Sequence, residues 1–211
     1  MTDFSHLAEN VIQIYKKHGR AWAELRGDFL YEQAWLDRFL SIIPKHSNIL
    51  DLGCGSGTPI AQYLIGNSCS IVGVDTSDVM LEMAKQNFPE HTWIQADMRN
   101  VELDSKFDQK LEQKFQGILA WDSFFHLTQD DQRKMFEQFS KFAEHGTALM
   151  FTSGPANGEA VGELFGDALY HASLSADEYR ELLNQYGFEE VMMIADDVEC
   201  ARHTVWLVTC N

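Results

Sequence analysis

Ile49-Leu-Asp-Leu-Gly-Cys-Gly-Ser-Gly57 is the stretch whose reading decides the fold. A short apolar run ends in glycines at alternate positions, and helical periodicity resumes over Ile60 to Ile65. Without side chains at 53, 55 and 57, the backbone can turn sharply and lie close against a ligand. Two phosphate-binding loops are excluded by spacing. A dinucleotide fingerprint needs GxGxxG, and the place of its third glycine, counted from Gly53, is held by Thr58. A P-loop needs GxxxxGK followed by Ser or Thr, which is absent. The loop is expected to bind something nucleotide-like whose middle is not a pyrophosphate.

Outward from this loop the chain keeps alternating between strand and helix. Ser70–Asp75, His91–Ala96, Gly117–Asp122 and Thr147–Thr152 read as apolar strands, with helices over the Val79–Ala84 region and Gln129–Glu144. Upstream, the first 45 residues read as helix: Val11, Ile14 and Tyr15 recur at helical spacing, then Leu30, Ala34, Trp35, Phe39 and Leu40, with Pro44 as a stop. Downstream, Ser175–Tyr186 reads as a helix opened by a capping box, Ser175 to Glu178. Val191–Ala195 and His203–Val208 are separated by a short turn and should pair antiparallel. Alternation of this kind predicts one α/β domain over residues 1–211, a doubly wound Rossmann-like sheet, mostly parallel, with helices on both faces.

In such sheets ligands collect outside the carboxyl ends of the strands, and here those ends carry polar groups in series. Asp75 closes the second strand, 18 residues after Gly57, where an acceptor-only carboxylate suits a ribose diol. Asp97, in Gln95-Ala-Asp-Met98, follows the third strand and is placed to accept from the exocyclic amine of a base. Trp121-Asp122-Ser123 closes the fourth. Just beyond it stands His126, which reads either as a proton acceptor alongside Asp122 or as a helix-start histidine bonded to backbone.

ILDLGCGSG, followed by VGVDTS, QADM and ILAWDSFFHL, resembles the class I S-adenosylmethionine-dependent methyltransferases of the small stand-alone bacterial kind, and the similarity covers nearly the whole chain. The resemblance implies a seven-stranded sheet with an antiparallel last strand and S-adenosylmethionine as cofactor. It places Asp51, Gly53, Gly55 and Gly57 around the methionine portion, Asp75 with Thr76 at the ribose, Asp97 and the Met98 backbone at adenine, and Trp121 beside the sulfonium. It also has the N-terminal helices cover the cofactor, with Arg20 or Arg26 available to its carboxylate. The family's fourth strand usually opens on an acidic residue where this chain has Gln116.

The formal charge is −16, from 32 acidic and 16 basic residues, and from Glu144 onward twelve acids face only Arg180 and Arg202. That balance argues against nucleic acid and against an anionic membrane as partner. No apolar leader or membrane-length run occurs and the four cysteines form no CxxC pair, so a soluble cytoplasmic protein with free thiols is expected. Eight scattered histidines show no metal-ligand spacing, so no metal is expected.

Two stretches break the rhythm. Asp104–Gln116 is polar and reads as a solvated insertion. Ser153–Leu174, with glycines at 154, 158, 162 and 166, reads as a long irregular connection able to act as a substrate lid. Its acids, with Phe125, Tyr170 and His171 as candidate acceptor contacts, would suit a neutral or cationic small molecule. Transfer of a methyl group to an oxygen or nitrogen of that molecule is the expected activity. The rivals are a non-catalytic cofactor-binding protein or partner subunit, and an NAD-dependent oxidoreductase, which the missing GxGxxG disfavours. The residues do not specify an oligomeric state.

Overall fold

A computed structural model describes residues 4–103 and 114–211. Helix α1 (Ser5–Arg26) ends at Gly27, and α2 (Gln33–Ser41) follows. The alternating core then runs β1 (Asn48–Leu52), α3 (Ile60–Gly66), β2 (Ser70–Asp75), α4 (Asp78–Asn87), β3 (Thr92–Gln95), β4 (Phe115–Ala120), α5 (Gln129–Phe142) and β5 (Ala143–Ser153). A hairpin of β6 (Gly158–Leu164) and β7 (Asp167–Ser173) precedes α6 (Ala176–Gln185), β8 (Phe188–Asp197) and β9 (His203–Cys210). Residues 104–113 of the polar insertion lie outside the described residues.

The main sheet has seven strands in the order β3-β2-β1-β4-β5-β9-β8. β1 pairs parallel with β2 on one side and β4 on the other, so strand order reverses there. The last strand, β9, runs antiparallel to both β5 and β8. Burial on both faces explains the near-continuous apolar strands. Leu50, Leu52, Leu149, Phe151, Trp206 and Val208 point into one core, and Ile49, Ala148, Met150, Val205 and Leu207 into the other. Gln116, at the start of β4, accepts from the Asn48 N–H (3.0 Å) and donates to Glu144 (2.9 Å), tying β1 to β5.

Helix starts are set locally. Ser77, Thr128 and Ser175 each accept a backbone N–H from the first turn of α4, α5 and α6. α1 lies across the carboxyl end of the sheet on α4, where Gly19 is buried and leaves room for Met80 and Ser77.

The segment expected to be an irregular connection is instead an ordered two-stranded sheet. Register Leu164↔Asp167 leaves Phe165 and Gly166 as a two-residue turn with φ of +50° and +88°, the twist that a tight hairpin needs. Leu164, Leu169, Tyr170 and Ala172 of the hairpin are buried in one cluster with Val11 and Ile14 of α1. At the rim, Asp167 accepts from Lys17 (2.8 Å) and pairs with His18 (2.7 Å).

Candidate active site

The ends of β1 to β4 and the inner face of α1 enclose a cavity of about 180 Å³ at the point where strand order reverses. Asp51, Gly53, Gly55, Gly57, Asp75, Thr76, Asp97, Met98, Trp121, Asp122 and His126 all line it, and Tyr15, Trp22 and Arg26 close it from above. The sequence thus brings its four polar strand ends together.

Asp75 holds the glycine loop in place. Its Oδ2 accepts from the Gly55 N–H (2.9 Å) and its Oδ1 from the Ser77 N–H (2.8 Å), while the Gly53 N–H donates to the Val74 carbonyl (2.7 Å). Each carboxylate oxygen keeps a lone pair for a ligand. At Gly53, φ is +82° and an added Cβ would sit 2.2 Å from the Ser123 Cβ. At Gly55, φ is +55°, yet a Cβ would meet nothing nearer than the Met80 sulfur at 4.0 Å. Gly53 is therefore required by packing, and Gly55 keeps cavity space open.

Burial raises the pKa of Asp75, against the backbone amides that bond it. Asp51 is raised to about 7, by burial and then by the charge of Asp75. Two carboxylates in one buried site, without a cation between them, are prepared for a positively charged ligand. Asp97 is gripped by Arg99, whose side-chain nitrogens and backbone N–H (2.9 Å) donate to it, and these bonds outweigh burial and hold the carboxyl below its usual range.

A second cavity of about 440 Å³ lies under the base of the hairpin, lined by Phe125, Gly154 to Ala156, Glu159, His171 and His203 among others. Asp122 and His126 of the first cavity adjoin His203 and His171 of the second. His126 Nδ1–H donates to the Tyr170 carbonyl (2.8 Å), so its Nε2 lone pair accepts from the Tyr15 hydroxyl (3.0 Å). Burial lowers its pKa to about 4 and keeps the ring neutral.

The other candidates divide. Phe125 and His171 both line the second cavity and pack against each other, ring centroids 5.4 Å apart. Tyr170 lines neither cavity; its ring is fully buried between hairpin and α1, and its hydroxyl donates to Glu159. Arg20 lies on the surface, 4.0 Å from Glu82, whereas Arg26 reaches the first cavity but is paired with the buried Glu32. Tyr15, Tyr31 and His203 were not singled out as site residues. Helical spacing hid Tyr15 among core positions, and nothing local marks His203, which reaches the site only because β9 inserts beside β5. Among the described residues no group of three His, Cys, Asp or Glu could hold a metal, and no helix is long and apolar enough to cross a membrane.

A sheet of this order, with an alternate-glycine loop and spaced carboxylates at its reversal point, is the arrangement of the class I S-adenosylmethionine-dependent methyltransferase fold. Residues 49–146 match the methyltransferase domain family, and the relatives and fold support an S-adenosylmethionine-dependent methyltransferase. An uncharacterized methyltransferase of Oceanobacillus iheyensis is 23% identical over 188 residues, covering 84% of this chain and 76% of that one. An O-methyltransferase of Aspergillus nomiae is 25% identical over 153 residues, 70% of this chain and 66% of its own length. The fold is shared with magnesium protoporphyrin IX methyltransferase from Synechocystis with bound S-adenosylmethionine, at a TM-score of 0.70, 16% identity and coverage of 100% and 99%.

Proposed function

We propose that this enzyme methylates an oxygen or nitrogen of a neutral or cationic small molecule held in the second cavity. The observation that carries the reading is that Asp122 and His126 of the first cavity contact His203 and His171 of the second. S-adenosylmethionine supplies a methyl already activated on a positive sulfur, so the protein's work is alignment and proton removal. Alignment of two reactants is worth roughly 7–11 kcal/mol of barrier.

The first cavity fits that cofactor. Asp51 and the loop glycines surround its methionine end, where Asp51 and Asp75 favour positive charge. Asp75 with Thr76 takes the ribose hydroxyls, Asp97 and the Met98 backbone take adenine, and Trp121 borders the sulfur. α1 acts as a cover and Arg26 lies near the carboxylate's place. On the acceptor side, the Phe125–His171 pair forms one wall for the molecule beneath the hairpin, the lid of this site. Its proton passes to Asp122 while the nucleophile's electron pair takes the methyl. His126 acts only through Tyr15, because its lone pair is already engaged by that hydroxyl.

Charge selects the acceptor class. In the second cavity, Arg202 is paired with Asp196 and His203 with Asp122, whereas Glu159 accepts from the Tyr170 hydroxyl and forms no ion pair among the described residues. The test is to follow S-adenosylhomocysteine release with amines, phenols and their anionic analogues, beside duplex DNA and a protein mixture. Turnover on a neutral or cationic small molecule is expected. Preference for the anions, or for a macromolecule, would overturn the assignment.

A further inference from the structure

His203 opens β9, far in sequence from the glycine loop, yet its ring sits between Trp121 and Tyr31, stacked at centroid distances of 5.5 and 5.4 Å. Its two nitrogens both face acceptors: Nδ1 donates to the Cys200 carbonyl (2.8 Å), and Nε2 lies 2.8 Å from Asp122 Oδ1. With an acceptor at each nitrogen, either neutral tautomer would turn a bare lone pair onto an oxygen about 2.8 Å away, so the ring carries both of its protons. The contact is an ion pair off the hydrogen-bond direction, and Oδ1 is buried with no other partner. We infer that His203 is an imidazolium that positions the Asp122 carboxylate, leaving Oδ2 as the oxygen that takes the acceptor's proton.

Three observations converge on this assignment. Asp122 is 24% exposed at its side chain although Oδ1 is buried, so the open part of the carboxylate is the Oδ2 side, restrained only by a long bond from the Tyr31 hydroxyl (3.3 Å). Both partners stand on costly backbone: Asp122 has φ +48°, and Ala201 and Arg202, just before His203, have φ +50° and +63°. Left-handed conformations at consecutive non-glycine residues persist only where surrounding structure enforces them. Here Trp35 Nε1 anchors the turn by donating to Asp197 (2.8 Å), and the Arg202 N–H donates to the Asp197 carbonyl (2.8 Å). Finally, the aromatic faces on either side favour a cation between them.

The surrounding charges agree. Burial alone would lower the His203 pKa, but the Asp122 carboxylate, the Cys200 carbonyl and Glu32 outweigh it and the net shift is upward. Glu32 is itself paired with Arg26, and Arg202 with Asp196, so among the described residues Asp122 is the carboxylate paired with the ring. In the transfer, the acceptor's X–H proton goes to Asp122 Oδ2 as the X–CH3 bond forms, and His203 keeps its own protons throughout.

The inference rests on the proposed role of Asp122, and two measurements separate them. Nitrogen-15 NMR of the protein loaded with S-adenosylhomocysteine should show both His203 nitrogens protonated at pH 7.5, and Asp122→Asn should lower the His203 midpoint by at least about one unit. With the best acceptor from the panel above, Asp122→Asn should lose about a hundredfold or more in kcat. His203→Gln should lose about ten- to a hundredfold in kcat with KM for both substrates nearly unchanged. A neutral His203 at pH 7.5 would overturn the inference even if Asp122→Asn is inactive. Full turnover by Asp122→Asn would overturn the role of Asp122, and with it that of His203, whatever charge the ring carries.

Discussion

Below α1, the first cavity is walled by short segments at the strand ends: 53–57 after β1, 75–76 at the end of β2, 96–99 after β3 and 121–123 after β4. The second draws on Phe125, on Gly154 to Ala160, on His171 to Ser173 and on Ala201 to His203, segments of four different connections and strands. One region is fixed by backbone, the other by side chains meeting across long stretches of chain. Changes in the first should therefore disrupt fold and cofactor together wherever they touch packing. Changes in the second should alter which acceptor is used and how fast.

The glycine loop offers the sharpest way to break this distinction, because two glycines two residues apart have different reasons to be there. Gly53→Ala places a Cβ against Ser123, and overpacking of about 1–3 kcal/mol adds to about 1–2 kcal/mol for alanine at positive φ. Tm should fall by roughly 5–15 °C, and cofactor binding should be lost with it. Gly55→Ala carries only the backbone cost, so Tm should fall by roughly 2–6 °C. Its Cβ stands in the cavity, and affinity for S-adenosylhomocysteine should drop about 5- to 150-fold. Scanning calorimetry and titration on both variants check this, and equal Tm losses would mean the loop is one rigid unit with no cavity-facing position.

Asp75→Ala comes next. It removes bonds that hold the loop as well as those proposed to the ribose, and cofactor affinity should weaken about ten- to a hundredfold, from about 1.5–3 kcal/mol for bonds to a charged acceptor. Unchanged affinity by titration calorimetry would mean the ribose lies elsewhere.

Asp51 gives a smaller, pH-dependent effect. With its pKa raised to about 7, the folded carboxyl holds a proton that the unfolded chain releases near pH 4. Stability of the free enzyme should therefore fall as pH rises from about 4 to about 7, by up to about 1.4 kcal/mol per unit, and Asp51→Asn should flatten that slope. A cationic cofactor favours the carboxylate, so below pH 7 its binding should release a proton. Affinity should then rise by up to about tenfold per pH unit between 6 and 7. Calorimetry in two buffers of different ionisation enthalpy reads this release directly, and a binding heat independent of buffer would remove Asp51 from the cofactor's surroundings.

How much of each region was legible follows from the same contrast. Gly53, Gly55, Asp75, Asp97 and Trp121 could be placed in one cleft from sequence because each follows an apolar strand directly, and strand order alone brings strand ends together. The hairpin was missed because Gly158 to Leu164 carries little alternation: only Leu164 is buried, and its partner strand gains its inner face by packing on α1 rather than on the sheet. Tyr170 drew attention as an aromatic in a suspected lid, yet it is core for that packing. Trp121 and Tyr31 stack on His203 from positions 121 and 31, and no local pattern encodes a contact closed by tertiary structure.

The attachment of the hairpin to α1 provides the smallest expected effect. Two kinds of contact hold it: the buried patch of Leu164, Leu169, Tyr170 and Ala172 on Val11 and Ile14, and the rim pair of Asp167 with Lys17 and His18. Exposed ion pairs are screened and cost side-chain freedom, so they contribute little, whereas truncating a buried leucine typically costs 2–5 kcal/mol. Asp167→Asn should leave Tm nearly unchanged and cofactor affinity intact. Leu169→Ala should lower Tm by roughly 5–15 °C and raise the acceptor KM more than the cofactor Kd, because β7 also carries His171 into the second cavity. If Asp167→Asn instead disturbed acceptor KM as much as Leu169→Ala did, the hairpin would be latched at its rim rather than held by its buried face, and the lid would open from that end.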